Sequence, residues 1–177
     1  TTNLNGQDEP AKGTITIHQL RQPEQVFRNR LWRQPDKFLM SESEFHAKFP
    51  TDLYKDELDE KSWEKTKQVY SESFDTEKED SLDLKQCKNW QQGRYVLELK
   101  ALDKFGSEIK SILYFNLSGP DESGIPTREN LWYSAGKLTC EPGQSADFTV
   151  GTAQKEIWLL YEIEHKNKTV SREWIKM

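Results

Sequence analysis

Three histidines, two cysteines and a run of carboxylates are the side chains of this sequence best suited to do chemistry, and their spacing argues against it. His18, His46 and His165 are scattered and fit no metal-ligand spacing. Glu162, Glu164 and His165 are close, but strand alternation puts Glu164 and His165 on opposite faces, whereas a tetrahedral site needs convergent ligands. Asp52, Asp56, Glu57, Asp59 and Glu60 offer the oxygens calcium takes, yet the Asp-x-Asp-x-Asp-Gly loop is lacking, so a solvated acidic stretch is expected. Ser71, Ser73 and Asp75 have no partnered histidine to act as base. Cys87 and Cys140 are too few for a disulfide framework. Asn116-Leu-Ser118 and Asn167-Lys-Thr169 fit the glycosylation pattern, which matters only in a eukaryotic secretory setting. The expectation is therefore a protein that is not an enzyme, with no catalytic residue, no metal ligand and no cofactor.

Composition narrows the class further. The net charge of −5 is unevenly held: residues 41–85 carry 14 acidic against 7 basic side chains, and the remainder is slightly basic. A nucleic-acid footprint needs a basic face, so no nucleic-acid partner is expected. The cluster Arg21, Arg28, Arg30 and Arg33 is interrupted by Glu24 and reads as a solvated loop. Hydrophobic content is low at 34%, but six tryptophans, six tyrosines and eight phenylalanines argue against wholesale disorder. No apolar run is long enough for a spanning helix and no signal peptide is present. The start at Thr1-Thr2-Asn3 and the end at Met177, inside a strand-like run, read as those of an excised fragment. Leu138-Thr139-Cys140 has no hydrophobic stretch before it and is not read as a lipoprotein cleavage site.

The elements that would position any site are mostly strands. Tyr95, Leu97, Leu99 and Ala101 alternate with Arg94, Val96, Glu98 and Lys100, a period of two. Gly106 closes a turn at 103–106, and Ser111 to Leu117 returns as a strand rich in β-branched and aromatic residues. Before this hairpin, Ser81 to Leu84 reads as a short strand, followed by Trp90, Gly93 and Tyr95. That order is how a Greek-key sandwich carries its chain between sheets, with the tyrosine hydroxyl bonded back to the corner. Gly13 to Leu20 is a strand with Ile15 and Ile17 on one face. Ser41-Glu-Ser-Glu44 has capping-box spacing and predicts a helix ending before Pro50, and Asp59 to Tyr70 predicts a second helical piece. Residues 35–80 thus read as a partly helical insertion. Gly119-Pro120 and Ser123-Gly124-Ile125-Pro126 read as a linker. Beyond it lie strands at Leu131–Tyr133, Ala146–Val150, Glu156–Glu164 and Val170–Ile175, with turns at Pro142-Gly143 and Asn167-Lys168.

Taken in order, these motifs resemble macroglobulin domains of bacterial alpha-2-macroglobulin-like proteins. Leu131-Trp132 through Glu141-Pro-Gly143 to Val150-Gly151 resembles the opening of such a domain. Gly13 to Ile17 with Gln22-Pro23, Phe45 to Pro50, and Gly93 to Gly106 resemble the later part of the preceding one. The resemblance implies a mainly β, immunoglobulin-like antiparallel sandwich: later strands of one domain over 1–118, a linker over 119–126, and opening strands of a second over 127–177. Gly93, Tyr95, Gly106, Pro142 and Gly143 would then be structural residues. It also implies a scaffold piece of an exported, often lipid-anchored endopeptidase inhibitor of the periplasm or cell envelope, whose partners are proteases and its own further macroglobulin domains. The family's reactive thioester has no counterpart here, since Cys140 is followed three residues later by Gly143 and Cys87 by Trp90. A rival expectation is a surface module that binds glycans through its tryptophans, although Trp90, Trp132 and Trp158 also suit a sandwich core. Two incomplete strand sets would leave open sheet edges. These would pair within the chain, bringing Tyr95, Leu97 and Leu99 to face Ile157, Trp158 or Leu160, or between chains in a homodimer.

Overall fold

The alternation of Ile15 and Ile17 with Thr14, Thr16 and His18 makes β1 (Lys12–Leu20) an inner strand in the computed structural model. It lies between β2 (Lys65–Asp75) and β3 (Gly93–Leu102), and β3 pairs in turn with β4 (Glu108–Leu117), every pairing being antiparallel. The structure describes residues 1–2, 5–79, 81–103, 105–119, 125–136 and 139–177. They divide into two units, each assembled from two stretches: Thr1–Pro23 with Lys55–Thr127, and Glu24–Tyr54 with Arg128–Met177. The architecture is mainly β, in antiparallel sheets.

In the first unit, register alone decides which side chains share a face. Ile17 stands opposite Leu97 and Tyr70, and Tyr95 opposite Phe115, so all five lie on one side of the sheet. Ile15, Ile17, Tyr70 and Tyr95 are the buried centre of that side, surrounded by Leu82, Leu84, Trp90, Leu97, Leu99 and Phe115. Rings reinforce it: Trp90 lies 5.7 Å from Tyr95 and 6.5 Å from Tyr70, and Tyr95 stacks on Phe115 at 5.6 Å. Rings at such separations add about 0.5–1.5 kcal/mol per pair beyond their area.

At the corner that leads into β3 the tyrosine hydroxyl bonds back to the backbone, but no strand immediately precedes it. Gly93 has φ +151°, and the fully buried Tyr95 donates its hydroxyl to the Gln91 carbonyl at 2.5 Å. Gly106, at φ +84°, closes the β3–β4 loop, where Asp103 accepts from the Phe105 and Ser107 amides. Lys104, within that turn, lies outside the described residues.

Two sequence expectations fail in this unit, for physical reasons. The helical piece at 59–70 is instead a single 3₁₀ turn, Glu60–Ser62, followed by the eleven-residue β2. Trp63, Lys67 and Tyr70 suggest a helical stripe, but Tyr70, Glu72 and Phe74 alternate in register with Ile17, Ile15 and Gly13, and pairing with β1 overrides local preference. Ser81 to Leu84 forms no strand; Leu82 and Leu84 reach the core from irregular backbone that leads into the 3₁₀ turn Lys85–Asn89.

The buried Tyr70 gives a pH-dependent result. Burial, and then the Glu72 carboxylate to which its hydroxyl donates, pushes its pKa from 10.0 up to about 12. A group whose folded pKa lies above its unfolded value contributes stability that is complete below pH 10 and lost as pH rises through about 12. Titrating tyrosinate absorbance should show a late component that loses one tyrosine in Tyr70→Phe; a Tyr70 that ionises with the exposed tyrosines would contradict this.

The second unit holds α1 (Glu42–Lys48) and two strand pairs, β5 (Trp132–Ala135) with β6 (Phe148–Gly151) and β7 (Trp158–His165) with β8 (Lys168–Lys176). Helix α1 begins as its sequence predicts, with Ser41 and Glu44 completing the reciprocal capping box. Gly143, at φ +86°, and the Gln144 amide bonded to the Glu141 carbonyl at 3.0 Å form the Pro-Gly turn. The β7–β8 turn sits one residue earlier than expected, on Lys166 and Asn167, both with positive φ.

Of the linker read over 119–126, Pro120 to Gly124 lie outside the described residues. Its end is not solvated chain: Pro126 and Thr127 are buried, and the Pro126 carbonyl accepts from Gln22 Nε2 at 2.7 Å. Among the described residues, each sheet draws its strands from one unit only. Among the described residues, no strand of 131–175 is hydrogen-bonded to one of 13–20 or 82–117. Tyr95 lies against Trp90 and Phe115.

Candidate functional site

Residues 24–54 contain little regular structure, so side chains must fix their path. Arg28 does most of this. Its guanidinium holds both oxygens of Asp52, with Nη2 to Oδ2 at 2.9 Å, and its amide donates to the Thr51 carbonyl at 2.8 Å. The Asp52 carboxylate keeps Arg28 protonated to still higher pH than usual, chiefly through that hydrogen bond. Tyr54, buried, donates its hydroxyl to the Met40 carbonyl at 2.7 Å.

An aromatic cluster completes the support. The rings of Phe38 and Phe45 lie 4.4 and 5.4 Å from Tyr54, and His46 lies 5.4 Å from Phe27. Phe27 is buried, and its carbonyl accepts from Asn130 Nδ2 at 3.4 Å. The Glu24 carbonyl accepts from Arg128, and Asn130 Oδ1 from Gln154 at 3.0 Å. Thus 24–30 is tied to the stretch that carries β5 and β6.

Between these supports lies a cleft of about 340 Å³, within the size range of ligand sites. Trp32, Phe38, Leu39, Met40, Phe45 and Tyr54 give it apolar walls, while Arg30, Arg33 and Lys37 also line it. Leu31, Trp32 and Leu39 at its lip are 78%, 76% and 94% exposed, an unusual density of large apolar side chains in water.

The sequence-named residues fall elsewhere. Gly93, Tyr95 and Gly106 stand at the corner and turn of the first unit, and Pro142 and Gly143 in the β5–β6 connection. His18 lies on the face of β1 opposite Ile17, His46 in the aromatic cluster and His165 at the end of β7. Cys87 and Cys140 carry free thiols, Cys140 exposed and donating to the Ser145 carbonyl. Carboxylates of the acidic run have structural work: Asp52 clamps Arg28, Asp59 caps a 3₁₀ turn, Glu60 pairs with Arg94 at 2.5 Å.

The cleft itself was missed. Its residues read as a solvated basic loop because Pro35 and the alternating charges hide the aromatic positions that converge only in three dimensions. A usable signal was the local density of Phe27, Trp32, Phe38, Phe45 and Phe49 in a chain otherwise poor in apolar residues. Set against known protein families, curated proteins and solved structures, the chain has no match.

Proposed function

We propose that this chain is a non-catalytic scaffold portion of a larger macroglobulin-like endopeptidase inhibitor of the periplasm or cell envelope. The observation that carries the reading is the corner made by Gly93 and Tyr95, with the Tyr95 hydroxyl bonded to the Gln91 carbonyl. Such a corner belongs to Greek-key sandwiches, whose role is to hold position. Proteases are then partners of the whole inhibitor, and the chain's immediate neighbours are further macroglobulin domains. Outer β2 and β4, at the two edges of their sheet, also give a second copy a place to pair.

The test uses an endopeptidase with two substrates, one a short chromogenic peptide and one a large protein. The full-length inhibitor should spare cleavage of the peptide and block cleavage of the protein. This chain alone should affect neither and hydrolyse neither. Peptidase activity in the chain, or direct inhibition by it, would overturn the reading.

A second reading, a glycan-binding module, is favoured by one observation. Trp158 and Trp174 are each 61% exposed, and the β7–β8 register puts them on one face, Trp158 opposite Lys176 and Trp174 opposite Leu160. Exposed rings so placed can stack on sugars. Polysaccharide retention that Trp158→Ala and Trp174→Ala abolish would promote it over the scaffold reading.

A further inference from the structure

We infer that the outer edge of β4 is the surface through which two copies of this chain pair, strand against antiparallel strand, about a two-fold axis at Leu113. The character of the edge is the first argument. Among the described residues the backbone of β4 is bonded to β3 alone, so a row of N–H and C=O groups faces outward. Folded proteins guard such edges with charges, proline or a bulge. Residues 111–117 contain neither a charged residue nor a proline, and β4 runs in unbroken register with β3. Ile109, Ile112 and Leu113 are exposed along it, and alternation places them on both faces of the sheet.

The other edges are guarded. β2 carries Lys65, Lys67, Glu72 and Asp75, shifts register against β1, and exposes no large apolar side chain. In the second unit, β7 and β8 are interrupted by Glu162, Glu164, Arg172 and Glu173, while β5 and β6 are short.

Self-complementarity names the occupant. Opposite residues of an antiparallel pair share a face, so a two-fold axis between two copies of one strand must pass through a residue that faces itself. With Leu113 on that axis, Ile109 faces the second copy's Leu117, Ile112 faces its Tyr114, and Leu113 faces Leu113. Charges stay apart, since Lys110 then faces Asn116 and Glu108 faces Ser118. No other position of the axis gives all three exposed residues an apolar counterpart: on Ile112 it sets Leu113 against Ser111, and on Tyr114 it sets Ile112 against Asn116. The strand is its own complement, which an isologous dimer requires and a foreign strand does not. Two four-stranded sheets then become one continuous sheet. This goes beyond the scaffold reading, which leaves both edges of the sheet equivalent.

Sedimentation of the whole chain should show a reversible monomer–dimer equilibrium. One strand from each copy makes an interface at or below about 1,200 Å², so dissociation in roughly the micromolar range is expected. Leu113→Lys sets like charges opposite each other on the axis and should weaken the dimer by about tenfold or more. Ser71→Lys, on the edge of β2, should leave it unchanged. Both positions are exposed, and circular dichroism should show an unaltered fold for each variant. Cross-linking then tests the register in a Cys87→Ser, Cys140→Ser background, with oxidised glutathione as the oxidant. Leu113→Cys should join two copies. Ser111→Cys should not, because its two copies would lie four residues apart along the strands, about 13 Å and beyond the reach of a disulfide. A chain that stays monomeric, open-ended aggregation, a dimer indifferent to Leu113→Lys or broken by Ser71→Lys, or cross-linking through residue 111 in place of 113 would each overturn the inference. None of these results decides the scaffold reading, which stands or falls with the endopeptidase test.

Discussion

Replacing Tyr95 with alanine should destabilise the first unit by about 3–5 kcal/mol, the range for deleting a large buried aromatic side chain. Tyr95 has no exposed surface, touches Trp90 and Phe115 on either side, and stands in the buried centre with Ile15, Ile17 and Tyr70. Tyr95→Phe keeps the ring and loses only the bond to the Gln91 carbonyl, so it should cost about 0.5–1.5 kcal/mol. The gap between the two variants separates packing from the corner. Hydrogen exchange of β1 and β3 amides is the suitable measure, because a protein of two units need not unfold in one step. A Tyr95→Ala protein with wild-type protection in β1 would show that the corner does not hold the sheet.

The second large effect is expected at Gly13, where a methyl group has nowhere to go. A Cβ there would lie 2.0 Å from the Lys100 carbonyl oxygen and 2.9 Å from the Ala101 Cα, both main-chain atoms of the neighbouring strand. Backbone cannot rotate aside as a side chain does, so Gly13→Ala must push β3 away from β1 and should cost about 1–3 kcal/mol or more. Gly136 is the control: nothing lies within 4 Å of its added Cβ, and Gly136→Ala should be neutral within about 0.5 kcal/mol. Similar stabilities for the two variants would rule out the close approach.

Much of this was legible in the sequence, and the parts that were not have a common cause. Period-two alternation located β1 and β3, β-branched and aromatic residues over 111–117 located most of β4, and the spacing of Ser41 and Glu44 located α1, because those signals are local. Gly93, Gly106 and Gly143 were legible as turn residues for the same reason. β2 was hidden because nearly all its side chains are polar or charged; Tyr70 and Phe74 gain meaning only once β1 lies beside them. Trp158 misled in the other direction: its size suggests core, yet it is 61% exposed. Gly13 looked like a strand boundary, since no sequence pattern reveals what a neighbouring strand will press against. The cleft depends on contacts between residues well separated in sequence, such as Tyr54 with Met40 and Arg28 with Asp52, and local reading cannot supply those.

The two units are interleaved along the chain: first, second, first, second. No single peptide bond can therefore be cut to separate the two with both intact, including any bond in the linker-like run 119–126. During synthesis β1 emerges early but waits for both neighbours, and residues 24–54 wait longer still, until the chain has passed residue 128. Long-range closure of this kind slows folding. It also fixes a sequence of events, in which the first unit can be finished while the larger part of the second is still unmade. In inheritance the consequence is equally direct. A recombination that exchanged residues 1–118 for those of another protein would transfer one unit nearly complete and strand part of the other, so the two must travel together as one cassette.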